Sequence, residues 1–365
     1  MARMNPTPLK FLMPGWFSVV MGLTGLALAW RSAEVALGES AMGVALVLGV
    51  VALLVCLVLL VLSGVRANRY NAALAEDLRH PVRHGFVAAL PVSLLLLAAL
   101  ATTLEQSGVL IHAVWWVGAV GQLAATVWVL KRWLVPTPVA APPVAPAGLQ
   151  GLIDGALVAP AMPKPAAPAA SVAFWPVITP VLLIPVVGNV VAPLAGLALG
   201  HGLWSMAQFG IGILLWPVVL TLLLVRRAAQ GALPDRLLPT WFITIAPPSV
   251  VGLVWVQSQL GMAWVAGAWG VALFFVLLAA TVARQAVAQP FSLTFWAISF
   301  PLAAFTSLTL KLAQLVGSPA LQMVGTLMLA LVSLVVFGLC LATVRGLREG
   351  SLLAPEPIAA ILPAA

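Results

Sequence analysis

Four prolines recur at one depth in long apolar segments of this sequence. Pro91, Pro185, Pro247 and Pro301 each lie about 7–12 residues, or about 11–18 Å of helix, from the basic end of their segment. A proline inside a helix leaves a carbonyl without its hydrogen bond, and in lipid that carbonyl must be satisfied by protein groups or by water in a cavity. These prolines therefore point to a kinked, solvated path through a membrane.

Small and hydroxyl-bearing residues accompany the prolines at the same depth. The candidates for lining such a path, beside the prolines, are Gly22, Ser93, Asn189, Ser249 and Ser299. They fit a narrow and weakly polar lumen. Equally, small and polar side chains hold membrane helices together, so packing is the alternative interpretation for each of them.

The acidic residues indicate what this path does not do. All nine lie in predicted loops or tails: Glu34, Glu39, Glu76, Asp77, Glu105, Asp154, Asp235, Glu349 and Glu356. Carriers coupled to protons or sodium usually keep an ionisable residue at the membrane midplane. The four histidines are expected near the interfaces, and no catalytic motif or metal-ligand spacing occurs. We therefore expect no enzyme activity, no cofactor and no metal.

The composition defines the elements that carry these residues. Of 365 residues, 63% are hydrophobic and 7% are charged, which excludes a soluble globular domain. Apolar runs predict an all-α integral membrane protein with ten helices in five hairpins, formed by a single domain over residues 1–365. The predicted helices are 14–32, 41–66, 84–104, 108–131, 173–199, 202–225, 239–260, 262–283, 291–314 and 319–344.

The distribution of basic residues predicts the orientation. With these helices, 15 of the 17 Lys and Arg residues fall on one side, so the positive-inside rule places both termini in the cytoplasm. Only Arg31 and Lys311 fall opposite, and they form a predicted positive outer mouth, although Glu34, Glu39 and Glu105 share that face. The same distribution explains the basic pI of about 10.8 without a nucleic-acid partner.

One cytoplasmic loop differs from the others. Residues 136–170 contain nine prolines in 35 residues together with many alanines, a composition typical of an extended linker with polyproline II character. A passive spacer is the preferred interpretation, and a docking motif is the alternative.

The prolines also predict how the helices are arranged. Four of the five odd-numbered helices have an internal proline, helix 1 has Gly22 and Gly25 at the matching depth, and among the even-numbered helices only helix 6 has one, Pro217. Helices that are broken at the same depth are expected to lie next to each other, where their freed carbonyl groups can share one cavity. We therefore predict an inner ring of odd helices in quasi-fivefold arrangement around a pore, inside an outer ring of even helices. The alternative is that prolines are simply commoner in membrane helices.

Several stretches resemble the tellurite-resistance/dicarboxylate transporter family, which includes the plant slow-type anion channels. The matching residues are Pro14-Gly15-Trp16-Phe17 with Gly22 and Ala29-Trp30, His80-Pro81-Val82-Arg83, Gly118 with Gly121-Gln122, Ala246-Pro247, and Phe295-Trp296-Ala297-Ile298-Ser299-Phe300. The last of these, in helix 9, is the most specific. The resemblance implies a homotrimer in which each protomer has its own pore, plugged by the helix 9 phenylalanine, here Phe300. The long Pro/Ala linker departs from the bacterial relatives, and long soluble tails like those of the plant members are lacking, so kinase gating is not expected.

The predicted function is an anion channel, or a channel-like permease, that conducts small anions across a bacterial inner membrane. The main alternative is a proton-coupled C4-dicarboxylate carrier for malate or succinate, or a tellurite or sulfite transporter. The missing midplane acid argues against coupling. A non-conducting membrane scaffold is a third possibility, but it leaves a ring of broken helices without a purpose.

Overall fold

The computed structural model describes residues 8–134 and 175–354, and the described chain is all-α, without strands. The predicted linker 136–170 lies outside the described residues. Among these described residues, eight helices are long and apolar enough to cross a membrane, and α1 and α5 are shorter apolar helices. In chain order they are α1 (Phe17–Ser32), α2 (Glu39–Arg69), α3 (Arg83–Thr103), α4 (Val109–Leu134), α5 (Pro180–Gly196), α6 (Gly202–Gln230), α7 (Asp235–Gln257), α8 (Met262–Val287), α9 (Leu293–Val316) and α10 (Pro319–Arg348).

Burial alternates along this series. The most apolar stretches of α3, α7 and α9 are 67%, 78% and 94% buried, whereas those of α2, α4, α6, α8 and α10 are only 22–33% buried. Most residues of α1 and α5 are also buried. The odd-numbered helices therefore form the interior, and the even-numbered ones present large apolar side chains outward, as membrane-facing helices do.

The contacts between the odd-numbered helices close a ring. Helix α1 packs on α3 and α9, α5 packs on α3 and α7, and α7 packs on α9. Each even-numbered helix packs against the odd-numbered helix that precedes it. This packing confirms the predicted inner and outer rings.

The inner prolines act differently from the prediction. In α3, α5, α7 and α9 a 3₁₀ segment comes first and an α-helical segment follows. Pro91, Pro185, Pro247 and Pro301 lie in the first turn of those α-helical segments. A proline in the first turn costs no α-helical hydrogen bond, because the N–H at that position has no partner within the helix. The break is therefore a change of helix type and not a proline kink inside an α-helix.

Helix α1 also follows a 3₁₀ segment, Pro14–Trp16, but it has no break at its glycines, which serve close packing. The helix is continuous from Phe17 to Ser32. A Cβ on Gly22 would overlap the side chains of Ser299 and Trp296 on α9. The prediction that glycine replaces proline as a helix breaker in α1 was wrong; Gly22 allows α9 to approach.

Helix α5 is the most irregular of the ring, and side chains of α4 donate hydrogen bonds to its backbone. The chain changes from α to 3₁₀ geometry at Gly188. Just before this change, Gln122 Nε2 donates to the carbonyl oxygens of Ile184 at 3.0 Å and Pro185 at 3.1 Å, and Thr126 Oγ1 donates to that of Pro185 at 2.6 Å. A Cβ on Gly188 would lie 2.7 Å from Gln122 Nε2, so only glycine lets this amide reach the backbone.

We expect Gln122→Leu to destabilise the protein by about 1–3 kcal/mol, because it removes the two buried hydrogen bonds that Gln122 donates to carbonyl oxygens of α5. A lower unfolding temperature of the detergent-solubilised protein would report this loss. Gln257→Leu is the matched control, since Gln257 is exposed and makes only a 3.4 Å contact with the carbonyl oxygen of Leu194 on α5. Equal unfolding temperatures for the two variants would contradict the proposed role of Gln122.

Candidate functional site

A small apolar cavity lies inside the ring, which we call the central cavity. Its volume, counted as the space that the centres of water molecules can occupy, is about 60 Å³. This is room for only a few waters. All five inner helices contribute to its wall. The lining residues are Ser18, Met21, Phe86, Val92, Leu183, Ile184, Val187, Gly188, Val190, Val191, Ile243, Ala246, Pro247, Val250, Trp296, Ala297, Phe300 and Pro301.

Phe300 is held in the wall of this cavity by its packing on α1. Its side chain is 7% exposed, and a Cβ on Gly25 would lie 2.9 Å from Phe300 Cδ2. On the same helix, Trp296 Nε1 donates to Thr343 Oγ1 of α10 at 3.0 Å. The ring of Phe300 therefore occupies space that glycine leaves open on the neighbouring helix.

The predicted pore residues divide into two groups. Pro247, Phe300 and Pro301 line the central cavity, whereas Gly22, Pro91, Ser93, Pro185, Asn189, Ser249 and Ser299 are not among its lining residues. Pro91 instead contacts α4, where a Cβ on Gly121 would lie 3.2 Å from Pro91 Cβ. The carbonyl oxygen of Pro185 accepts hydrogen bonds from Gln122 and Thr126 of α4.

The polar residues of the second group donate hydrogen bonds to backbone carbonyl oxygens or to a side chain of a neighbouring helix. Ser93 Oγ donates to the carbonyl oxygens of Phe17 at 3.0 Å and Ala89 at 2.7 Å. Asn189 Nδ2 donates to Thr126 Oγ1 at 2.7 Å. Ser249 and Ser299 donate to carbonyl oxygens of their own helices, those of Ile245 and Trp296. For these residues the structure favours the packing interpretation, which the sequence left open.

A second, larger cavity, the basic vestibule, opens at the end of the ring where the odd-numbered helices begin. Its volume, counted in the same way, is about 350 Å³. Its basic residues are His80, Arg83, Arg226 and Arg236. Phe86 lines both cavities and therefore stands between them.

The arginines of the vestibule are functional candidates that the sequence reasoning missed. Arg226 and Arg236 served there only to orient the helices, and Arg83 served for orientation and as part of the His80–Arg83 motif. Their signal was visible as basic residues near the starts of odd-numbered helices, but Arg83 is far in sequence from Arg226 and Arg236. Only the ring arrangement brings them to one cavity.

A buried ion-pair network holds one of these arginines. Asp77, on a short helix Asn71–Arg79, accepts from Arg66 Nη2 at 2.6 Å and from Arg83 Nη1 at 3.0 Å. Arg66 and Asp77 are each 4% exposed at their side chains. Arg66 Nε also donates to the carbonyl oxygen of Lys10 at 3.0 Å. The network joins the end of α2 to the start of α3.

At the opposite end, the structure brings the predicted outer-mouth residues close to each other. Arg31 pairs with Glu34 and donates to the carbonyl oxygen of Thr103 at 2.9 Å. Lys311 lies close enough to Arg31 for the two charges to repel. Neither residue lines the central cavity. Gln314 Nε2, one turn beyond Lys311, donates to the carbonyl oxygen of Ser32 at 3.0 Å and ties α9 to α1.

Two histidines meet near this end, which the sequence did not predict. His112 Nδ1 and His201 Nε2 are 2.9 Å apart, and Trp115 stacks on His201 with ring centroids 4.7 Å apart. Burial, together with His112, lowers the pKa of His201, which lies in the loop before α6. Within residues 8–134 and 175–354, no group of three or more His, Cys, Asp and Glu side chains could hold a metal ion.

A closed ring of membrane helices around an apolar cavity with a basic vestibule defines a membrane transport protein. The SLAC1 family, described as voltage-dependent anion channel, matches residues 12–344. The chain belongs to this family, a group of anion channels and transporters. This membership confirms the resemblance that rested chiefly on the helix 9 motif.

Individual relatives match smaller parts of the chain. The S-type anion channel SLAH3 of Arabidopsis thaliana is 28% identical over 160 residues, which are 44% of this chain and 25% of that protein. SLAH2 of the same plant is 26% identical over 162 residues, or 44% and 31%. A tellurite resistance protein TehA homolog of Haemophilus influenzae is 29% identical over 131 residues, or 36% and 39%. The matched regions thus span less than half of each relative.

Proposed function

We propose that this protein is an anion channel, or a channel-like permease, whose pore runs through the central cavity and is plugged by Phe300. The observation that carries the proposal is the position of Phe300 in a cavity to which all five inner helices contribute. An aromatic ring across a narrow apolar constriction blocks ions by its bulk and by dewetting. Pro247 and Pro301 would line the pore beside it.

The cavity wall also indicates which anions would pass. It is almost entirely apolar, with Ser18 as a hydroxyl-bearing exception among the lining residues. Such a wall offers little to replace a hydration shell, so anions that lose water easily should pass best. The basic vestibule would raise the local anion concentration at one end.

The competing function is a proton-coupled carrier for C4-dicarboxylates, or for tellurite or sulfite. No Asp, Glu or His is among the described residues lining the central cavity, where coupled carriers usually have an ionisable group. Flux in proteoliposomes over chloride, nitrate, sulfite, malate and succinate separates the two functions. Flux that follows membrane potential alone supports the channel, and uphill movement driven by a pH gradient supports the carrier.

The proposal includes an assembly and an orientation. We propose that α1 and α5 cross the membrane as the first and fifth of ten spans, that residues 1–365 form one domain, and that three copies assemble, each with its own pore. The location would be a bacterial inner membrane, with the basic vestibule facing the cytoplasm. The concentration of Lys and Arg at one end supports this orientation.

The orientation predicts that protease added to right-side-out vesicles leaves the segment 136–170 intact, because this Pro/Ala-rich loop would lie inside. Permeabilised vesicles are the control, since the same protease should then cut the segment. Immunoblotting of the fragments measures both results. Cleavage in sealed vesicles would reverse the orientation of the pore.

A further inference from the structure

We propose that the basic vestibule is a binding site for a divalent organic oxyanion, a phosphomonoester or a dicarboxylate, which occludes the pore when bound. The occlusion rests on the proposed channel function, whereas the binding does not. Three properties of the vestibule support a ligand of this class: its charge, the state of its arginines and its size.

The charge at the wall of the vestibule is positive, and Asp77 balances only part of it. Three guanidinium groups line it, and no Asp or Glu is among its described lining residues. Two carboxylates close in sequence to lining residues already have partners: Asp77 binds Arg66 and Arg83, and Asp235 Oδ1 accepts from Gln285 Nε2 at 3.1 Å. A single chloride would leave most of this charge unneutralised.

Two of the arginines retain donors for a ligand. Arg226 Nη1 makes a long contact of 3.5 Å with the carbonyl oxygen of Gly231, and its buried Nε has no hydrogen-bond partner among the described residues. Neither Arg226 nor Arg236 forms an ion pair within residues 8–134 and 175–354. Guanidinium groups bind carboxylate and phosphate through paired N–H donors. The oxyanion would therefore lie against Arg226 and Arg236.

The sizes of the two cavities explain why such a ligand would block. The vestibule, at about 350 Å³, is within the range of small-molecule sites, whereas the central cavity offers only about 60 Å³. Apolar side chains of the vestibule, among them Trp175, Phe291 and Leu352, would cover the organic body of the ligand. A ligand that fits the basic vestibule but not the central cavity would stop at Phe86, which lies between them.

Calorimetric titration of the purified wild-type protein tests the site without any need for flux. The probes are phenyl phosphate, succinate and inorganic phosphate at low salt, with glycerol as the uncharged control. We expect saturable binding of the two organic dianions. Arg226→Gln and Arg236→Gln should each weaken it roughly tenfold, because each removes a charge-assisted hydrogen bond.

Arg227→Gln is the matched control. Arg227 is the next residue on α6, is exposed and is not among the lining residues, so its loss should leave affinity unchanged. Equal weakening in Arg226→Gln and Arg227→Gln would overturn the site, since it would show attraction by net charge only. Absence of saturable binding to the wild type would also overturn it. Binding of one dianion alone supports the site and identifies the ligand class.

Flux through Phe300→Ala then tests occlusion. The same organic dianion, added to the vestibule side, should reduce chloride flux with the concentration dependence found by calorimetry, and Arg226→Gln should shift that dependence roughly tenfold. If the dianion binds but does not reduce flux, the proposed occlusion is wrong, while the proposed binding site stands. If no variant conducts chloride, the channel proposal fails, and the calorimetric result still decides whether the vestibule binds.

Discussion

Anion flux through Phe300→Ala should exceed wild-type flux by a large factor. The substitution removes the aromatic ring from the wall of the central cavity, while Gly25 offers no side chain to take its place. If the plug contributes about 3 kcal/mol to the barrier, flux rises roughly a hundredfold. Chloride or nitrate flux in proteoliposomes, at matched protein content, measures the change.

The same helix supplies two matched controls. Phe295 and Phe305 are as buried as Phe300, but Phe295 packs near Phe291 and Phe305 stacks on Trp269 of α8, and neither lines the central cavity. Phe295→Ala and Phe305→Ala should leave flux low. Unchanged flux in a well-folded Phe300→Ala protein would refute the plug, and an equal rise in all three variants would point to a general loosening of α9.

The largest loss of stability is expected for Asp77→Asn. Asp77 is the acceptor for both Arg66 and Arg83, and Arg66 is 4% exposed. Without the carboxylate, a buried guanidinium loses its counter-charge, which typically costs about 3–5 kcal/mol. The unfolding temperature in detergent should fall markedly, and so should the yield of folded protein.

Glu76→Gln is the control for this effect. It removes a negative charge from the neighbouring, exposed position of the same short helix, so the change in net charge is identical. Its unfolding temperature should match the wild type. An equally small change for Asp77→Asn would mean that the ion-pair network contributes little to the junction of α2 and α3.

The arrangement of helices was largely predictable from the sequence because two strong signals coincide. Apolar runs separated by charged loops give the helices, and the prolines in alternate helices distinguish the inner ring from the outer one. The prolines share one depth because each lies where 3₁₀ geometry gives way to α-helix. Sequence periodicity does not distinguish these two helix types, so a kink was the natural but incorrect expectation.

The site residues were predicted less well, for a physical reason. Phe300 could be singled out only through the helix 9 motif, since a phenylalanine in a membrane helix is usually packing material. Ser93 and Asn189 have the composition of pore-lining residues but face neighbouring helices, because the direction of a side chain depends on the rotation of each helix. Arg226 and Arg236 lie on either side of one short loop, but Arg83 joins them at the vestibule only in the folded ring.

The prolines of the inner helices also fix the length of the 3₁₀ segments that precede them. The six residues Leu293–Ile298 span about 12 Å in 3₁₀ geometry and would span about 9 Å as α-helix. The same conversion would rotate one end of the segment by about 120° relative to the other, since the two helices turn by different angles per residue. That conversion would place Pro301 in the interior of a continuous α-helix, where proline donates no hydrogen bond and its ring clashes with the carbonyl of the residue four positions earlier, here Ala297. Pro301 therefore keeps this segment long and holds the side chains beside Phe300 in one orientation.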